Sequence, residues 1–134
     1  MKNKYLLLIV LTLIFFKYDK INGQSQKWVA PKSSSDLINP FVGNEKATAE
    51  GKKIYTQMCV ICHGTQGKGN GIAGVALNPK PANFLVINVV NETDGAIFWK
   101  LTEGKSPMAS YKDVLNENQR WQLVNYIRNL EKNK

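Results

Sequence analysis

The five residues Cys59-Val60-Ile61-Cys62-His63 constrain this chain more than any other part of its sequence. The chain has 134 residues, two cysteines and one histidine, and all three of those side chains lie in this short stretch. Thiols and an imidazole at such close spacing are typical of a site that holds a metal or a metal-containing group. A structural zinc ion needs four ligands, so a self-contained zinc site would have to borrow a carboxylate.

The same two cysteines have other uses. A redox-active pair shares the pattern C-x-x-C, but it belongs near a β-α-β pattern, which we do not find in this sequence. A plain disulfide between Cys59 and Cys62 would close so short a loop that it would hold little together. The full pattern C-x-x-C-H is that of covalent haem attachment: each thiol adds to one vinyl group, and the histidine that follows lies under the iron as its proximal ligand.

A haem iron also needs an axial group on its far side, or has an open position there. With His63 used, the chain has no second histidine. Of the three methionines, Met1 leaves with a cleaved leader, and Met58 directly precedes the first cysteine, too near to reach the opposite face. Met108 remains, in a proline-containing segment 45 residues after His63, and Lys105 is the fallback ligand.

The pentapeptide, the glycine- and proline-rich stretch at 63–84 and the late methionine together resemble a small bacterial monohaem class I cytochrome c. The resemblance covers residues from about 45 to 132. It implies an all-α fold, in which three to five helices wrap around one covalently attached haem c. The family often has proline after the methionine, whereas here Pro107 precedes Met108.

The resemblance also implies which residues form the site. The implied cofactor-binding residues are Cys59, Cys62, His63 and Met108. The two cysteines would form thioether links, and His63 and Met108 would be the axial metal ligands. A backbone carbonyl of the stretch after the motif usually accepts the other ring N–H of the histidine, which fixes the tautomer. Val75 and Pro79 are among the candidates for that carbonyl, and the sequence does not decide between them.

The start of the chain predicts export. A basic stretch over 1–4 precedes an apolar run over 5–16, which suits a signal peptide ending at Gly23 and is short for a membrane span. We therefore predict a signal peptide at 1–23, an extended N-terminal segment at 24–44 and a cytochrome c domain at 45–134. The predicted location is the periplasm, and an uncleaved leader would instead anchor the protein to the membrane.

Three longer helices are predicted from apolar periodicity and capping residues. Their predicted ranges are Glu45–Cys59, Asp94–Glu103 and Asn116–Leu130. We expect Asn44 and Asp94 to cap the first two helices, and Gly104 to end the second in a left-handed turn. Gly51 within the first helix either lets another helix approach closely or is simply tolerated; the resemblance implies that the last helix crosses there, near Tyr126. A flexible loop is predicted over 64–74, because five glycines lie there.

Two filled axial positions favour an electron carrier over an enzyme, since substrate then has no ready access to the iron. We predict a one-electron carrier between respiratory or periplasmic redox proteins, acting as a monomer. The alternative is a haem subunit of a periplasmic oxidoreductase, or a peroxidase-like enzyme with a displaceable methionine. Removal of the leader lowers the net charge from +8 to +5, because it carries four lysines and one aspartate. Mild basicity suits acidic protein surfaces, and the scattered lysines do not favour nucleic acid.

Overall fold

A computed structural model describes residues 28–132, which form five α-helices and no strand. The helices are α1 (Glu45–Met58), α2 (Val60–His63), α3 (Ile87–Val90), α4 (Asp94–Glu103) and α5 (Glu117–Lys132). Two short 3₁₀ helices add to them at Lys32–Asp36 and Gly74–Ala76. The predicted all-α fold is confirmed. The predicted signal peptide at 1–23 lies outside the described residues.

Helices α1 and α5 form the centre of the domain. The two helices lie close together at Gly51, where an added Cβ would lie 1.9 Å from the backbone oxygen of Gln122 and 3.1 Å from the Cβ of Tyr126. The rings of Tyr55 and Tyr126 pack alongside, with centroids 5.1 Å apart. Only a residue without a side chain allows this backbone contact, so the packing reason predicted for Gly51 is confirmed.

Local capping signals begin and end the long helices. The Oδ1 of Asn44 accepts the amide of Ala47 at 2.9 Å, as predicted for the start of α1. Asn116 and Gln119 exchange two hydrogen bonds of 2.9 Å before and inside the first turn of α5, which is a capping box. The predicted cap of α4 was one residue late, because Thr93 rather than Asp94 accepts the amide of Ala96.

The C-terminal end of α4 differs from prediction in its backbone. Gly104 has the positive φ expected, 66°, but its ψ of 167° is extended rather than left-handed helical. A Cβ at Gly104 would lie 2.4 Å from the amide nitrogen of Ser110. The chain therefore turns sharply away from the helix, and the following segment folds back against the turn.

Residues 28–44 pack against α4 and α5. Gly95 lies so close to the 3₁₀ helix that a Cβ would be 1.9 Å from the carbonyl oxygen of Ser34. Asn39 is buried and donates from its Nδ2 to Asp94 at 2.9 Å and to Asn125 at 2.7 Å. Polar contacts thus join this segment to both helices.

The core lies between these helices. Its largest fully buried side chains are Tyr55, Leu123 and Val124. Phe98 and Trp121 stack within it, with ring centroids 4.0 Å apart. No helix within residues 28–132 is long and apolar enough to cross a membrane.

Candidate functional site

The motif Cys59–His63 lies at the junction of two helices. Helix α1 ends at Met58, and α2 contains Val60–His63, so Cys59 sits between them. The amide of Cys59 donates to the carbonyl of Tyr55 at 2.9 Å, and the amide of His63 donates to the carbonyl of Cys59 at 2.8 Å. Cys59 is buried in the core, whereas Cys62 is half-buried, and the two thiols are not joined. One turn of helix therefore fixes the spacing of the three side chains.

His63 is oriented by two contacts from the other side of the glycine-rich loop. Its Nδ1 lies 3.2 Å from the carbonyl oxygen of Ala82. Its ring stacks on Phe84, with centroids 4.6 Å apart and planes 16° apart. A carbonyl only accepts, so Nδ1 carries the proton and Nε2 keeps its lone pair for a metal. Neither Val75 nor Pro79 supplies this contact, and no side-chain pattern points to Ala82, because the group involved is backbone.

The loop after the motif is held by backbone hydrogen bonds, although the sequence predicts a flexible one. The amide of Gly69 donates to the carbonyl of His63 at 2.8 Å, and that of Gly71 donates to Cys62 at 3.0 Å. The amide of Phe84 donates to the carbonyl of Gly67 at 2.8 Å. Gly67 and Gly69 have positive φ values of 72°, which side chains other than glycine rarely adopt. The glycines thus allow a tight wrap around α2.

Met108 lies in a tight turn between α4 and α5. The amide of Lys105 donates to the carbonyl of Met108 at 3.0 Å, and the amide of Met108 donates back at 2.8 Å. The amide of Tyr111 donates to the carbonyl of Leu101 at 3.0 Å, which fastens the segment to α4. The Met108 side chain is partly buried and packs against the core cluster that contains Cys59. The two predicted parts of the site thus adjoin one common core.

The electrostatics of the site link the same two parts. Burial, with a smaller effect from Cys62, raises the pKa of the Cys59 thiol to about 12. Burial also raises the pKa of Tyr111, and the charges of Cys59 and Cys62 add to that rise. Burial lowers the pKa of His63 and so favours the neutral imidazole, and the hydrogen bond to Ala82 partly opposes this effect.

Several apolar side chains in the motif and in the loop after it are exposed. Ile72 exposes 83% of its surface, and Ile61 and Val75 each expose more than half. Phe84, Ile97 and Leu101 belong to the buried core that also contains Cys59. The donor set fits haem, because it contains two thiols, an oriented imidazole and a thioether. The exposed apolar side chains offer a surface suited to an apolar macrocycle. Within residues 28–132, no three His, Cys, Asp or Glu side chains are placed to hold a metal ion.

Comparison with known proteins agrees with the interpretation of this site as a haem site. The family model described as cytochrome c oxidase, cbb3-type, subunit III matches residues 46–127. The chain belongs to this family. It is therefore a class I c-type cytochrome domain, which binds haem c covalently and serves haem-based electron transfer.

A solved structure supports the same fold. A chain of the reducing HAO-like protein complex of Kuenenia stuttgartiensis is similar, with a TM-score of 0.59 and 26% sequence identity. The match covers 70% of this chain and 46% of that one, so this chain spans less than half of its length. A search of curated proteins finds no match.

Proposed function

We propose that this protein is an exported monohaem cytochrome c that carries one electron at a time between redox proteins in the periplasm. In this proposal Cys59 and Cys62 hold the haem through thioether links, and His63 and Met108 are its axial ligands. The haem supplies the redox-active iron. The chain's own residues orient the ligands, surround them with apolar groups and limit access to them.

The observation that carries the proposal is the orientation of His63. The carbonyl of Ala82 fixes the proton on Nδ1 and Phe84 fixes the plane of the ring, which leaves Nε2 available as a ligand. A hydrogen bond on the far nitrogen makes the imidazole a more basic ligand. A ligand held in this way need not move when the iron changes charge, which suits electron transfer.

Met108 supports the same function. A thioether is a soft, neutral ligand, so it favours the ferrous state and raises the reduction potential. The reciprocal bonds between Lys105 and Met108 form a compact turn, and the core beneath it limits its movement. A sixth ligand held in place keeps small molecules from the iron, so the site favours transfer of electrons over catalysis.

A second candidate is a haem subunit of a periplasmic oxidoreductase, with a displaceable Met108. The likeness to a chain of the reducing HAO-like protein complex favours it, since that chain is part of an assembly. The two candidates differ in the accessibility of the iron, because an enzyme that reacts at this haem must open one axial position.

The test replaces each internal methionine by leucine, which keeps the volume and removes the sulfur. In the holoprotein, we expect Met108→Leu to allow CO to bind the ferrous iron and to lower the reduction potential. Met58→Leu is the matched control, because Met58 packs against the same core, and both properties should stay as in the wild type. If Met108→Leu changes neither the binding of CO nor the reduction potential, the ligand assignment is refuted.

A further inference from the structure

Arg120, in the first turn of α5, is a buried cation in an unusual setting. It exposes only 9% of its surface. Within residues 28–132, no carboxylate forms an ion pair with it, and its Nε is buried without a hydrogen-bond partner. Burying a guanidinium away from a counter-ion is costly, so the remaining contacts must offset much of that cost.

Those contacts lie on the segment that follows Met108. One nitrogen of Arg120, Nη1, donates to the carbonyl of Leu115 at 2.6 Å and to that of Lys112 at 3.1 Å. The guanidinium carbon lies 5.1 Å from the ring centre of Phe98, a favourable cation–π distance. Phe98 belongs to α4, so the arginine joins α5 to α4 and to the chain between them.

This arrangement constrains the position of Met108. The segment 108–115 is bonded to α4 through the amide of Tyr111 and the carbonyl of Leu101, at 3.0 Å. Arg120 supplies the matching attachment to α5. Both carbonyls must point at one nitrogen, so the backbone that leads away from Met108 has little freedom to shift.

We infer that Arg120 is a positioning residue that keeps Met108 on the haem iron by fixing the segment 108–115. The inference rests on the proposed axial ligation by Met108. Its consequence is measurable: without Arg120, the methionine dissociates more readily, and an added ligand competes for the iron with higher apparent affinity.

The test compares the two arginines of the chain. Arg128 also lies in α5, and it donates to Asp94 at 2.7 Å, to the carbonyl of Val90 at 3.2 Å, and to Glu92 and Glu131. Among the hydrogen bonds of residues 28–132, none joins Arg128 to the segment 108–115. We expect Arg120→Gln to increase the affinity of the ferric holoprotein for imidazole about tenfold or more, as for loss of a hydrogen bond to a charged group. Arg128→Gln should change that affinity less than about twofold, although both variants lose stability against denaturant.

The outcomes separate positioning from general stability. Equal imidazole affinities in the two variants, with both destabilised, would overturn the inference. If Arg120→Gln yields no holoprotein, Arg120→Lys, which keeps the charge and a donor nitrogen, is compared with the wild type. We expect its affinity for imidazole to be higher than that of the wild type, because one nitrogen on a differently shaped side chain does not reproduce both hydrogen bonds; an affinity equal to that of the wild type would overturn the inference. If Met108→Leu leaves the imidazole affinity of the wild type unaltered, the ligand assignment itself fails, whatever the arginine variants do.

Discussion

The Nδ1 of His63 lies 3.2 Å from the carbonyl oxygen of Ala82, nineteen residues further along the chain. The position of that carbonyl depends on Gly69, where an added Cβ would be 2.4 Å from the oxygen of Pro81 and 3.2 Å from that of Ala82. A glycine in the loop thus governs the hydrogen bond on the proposed proximal ligand, although its own amide bonds to the backbone carbonyl of His63 and not to the imidazole.

Replacing Gly69 by alanine should raise the reduction potential of the holoprotein. The new Cβ displaces the carbonyls of Pro81 and Ala82, so the hydrogen bond to His63 weakens and the imidazole becomes a poorer electron donor to ferric iron. We expect a rise on the order of tens of millivolts in a redox titration, since 59 mV corresponds to a tenfold change for one electron.

The control for that variant is Gly43→Ala. Gly43 has a similar φ, 76°, but beyond its two chain neighbours nothing lies within 4 Å of its Cβ position. Both variants introduce comparable backbone strain, of about 1 kcal/mol, but only one reaches the carbonyls. The account fails at this point if the two variants have the same potential.

Replacing Asn39 by alanine should destabilise the domain by about 2 kcal/mol in denaturant unfolding. Asn39 is buried, and its loss leaves the Oδ1 of Asn125 without the donor that lies 2.7 Å away. The neighbouring residue Ile38 exposes 86% of its surface, so Ile38→Ala should cost less than about 0.5 kcal/mol. Equal stability of the two variants would show that residues 28–44 do not belong to the folding unit.

The burial of Tyr55 should make the domain less stable at alkaline pH. Burial raises the pKa of Tyr55 above its ordinary value of 10.0, so the fold favours the neutral phenol. The resulting stability is fully present below pH 10 and is lost as the pH rises above 10 towards the pKa of the folded state. We expect unfolding measurements on Tyr55→Phe to show a shallower loss of stability above pH 10 than on the wild type.

The same variant should also lose about 1 kcal/mol at neutral pH. The hydroxyl of Tyr55 donates to the carbonyl of Gly64 at 2.7 Å, directly after His63, and phenylalanine leaves that carbonyl without its donor. Tyr126→Phe is the control, because it removes a hydroxyl from the adjacent ring without removing this hydrogen bond. If Tyr126→Phe lowers the free energy of unfolding by as much, the hydrogen bond to Gly64 does not account for the loss in Tyr55→Phe.

The long helices were predictable because their signals are local. Asn44 at the start of α1, and the pair of Asn116 and Gln119 at the start of α5, each satisfy backbone groups within three or four residues. The two short helices, α2 and α3, were not predicted. Four residues are too few to show an apolar period, so only the surrounding structure determines them.

The site was predictable only where side chains carry the chemistry. Cysteine, histidine and methionine are recognisable by type and spacing, whereas Ala82 contributes a carbonyl that every residue has. The rigidity of the glycine-rich loop was missed for a related reason. Glycine indicates conformational freedom in the unfolded chain. In the folded chain Gly67 and Gly69 adopt positive φ values that other residues rarely adopt, and these values allow the hydrogen bonds that hold the loop around α2.

The most direct test of the central claim is a set of visible absorption spectra of the protein made in a host with periplasmic haem-attachment machinery. Spectra of the ferric and dithionite-reduced protein are recorded, CO is added, and a portion is denatured to find whether the haem stays attached. We expect covalent haem, a low-spin reduced spectrum and no change with CO, as for an iron with both His63 and Met108 bound. Rapid uptake of CO by the wild type, or haem that separates from the denatured chain, would contradict the account.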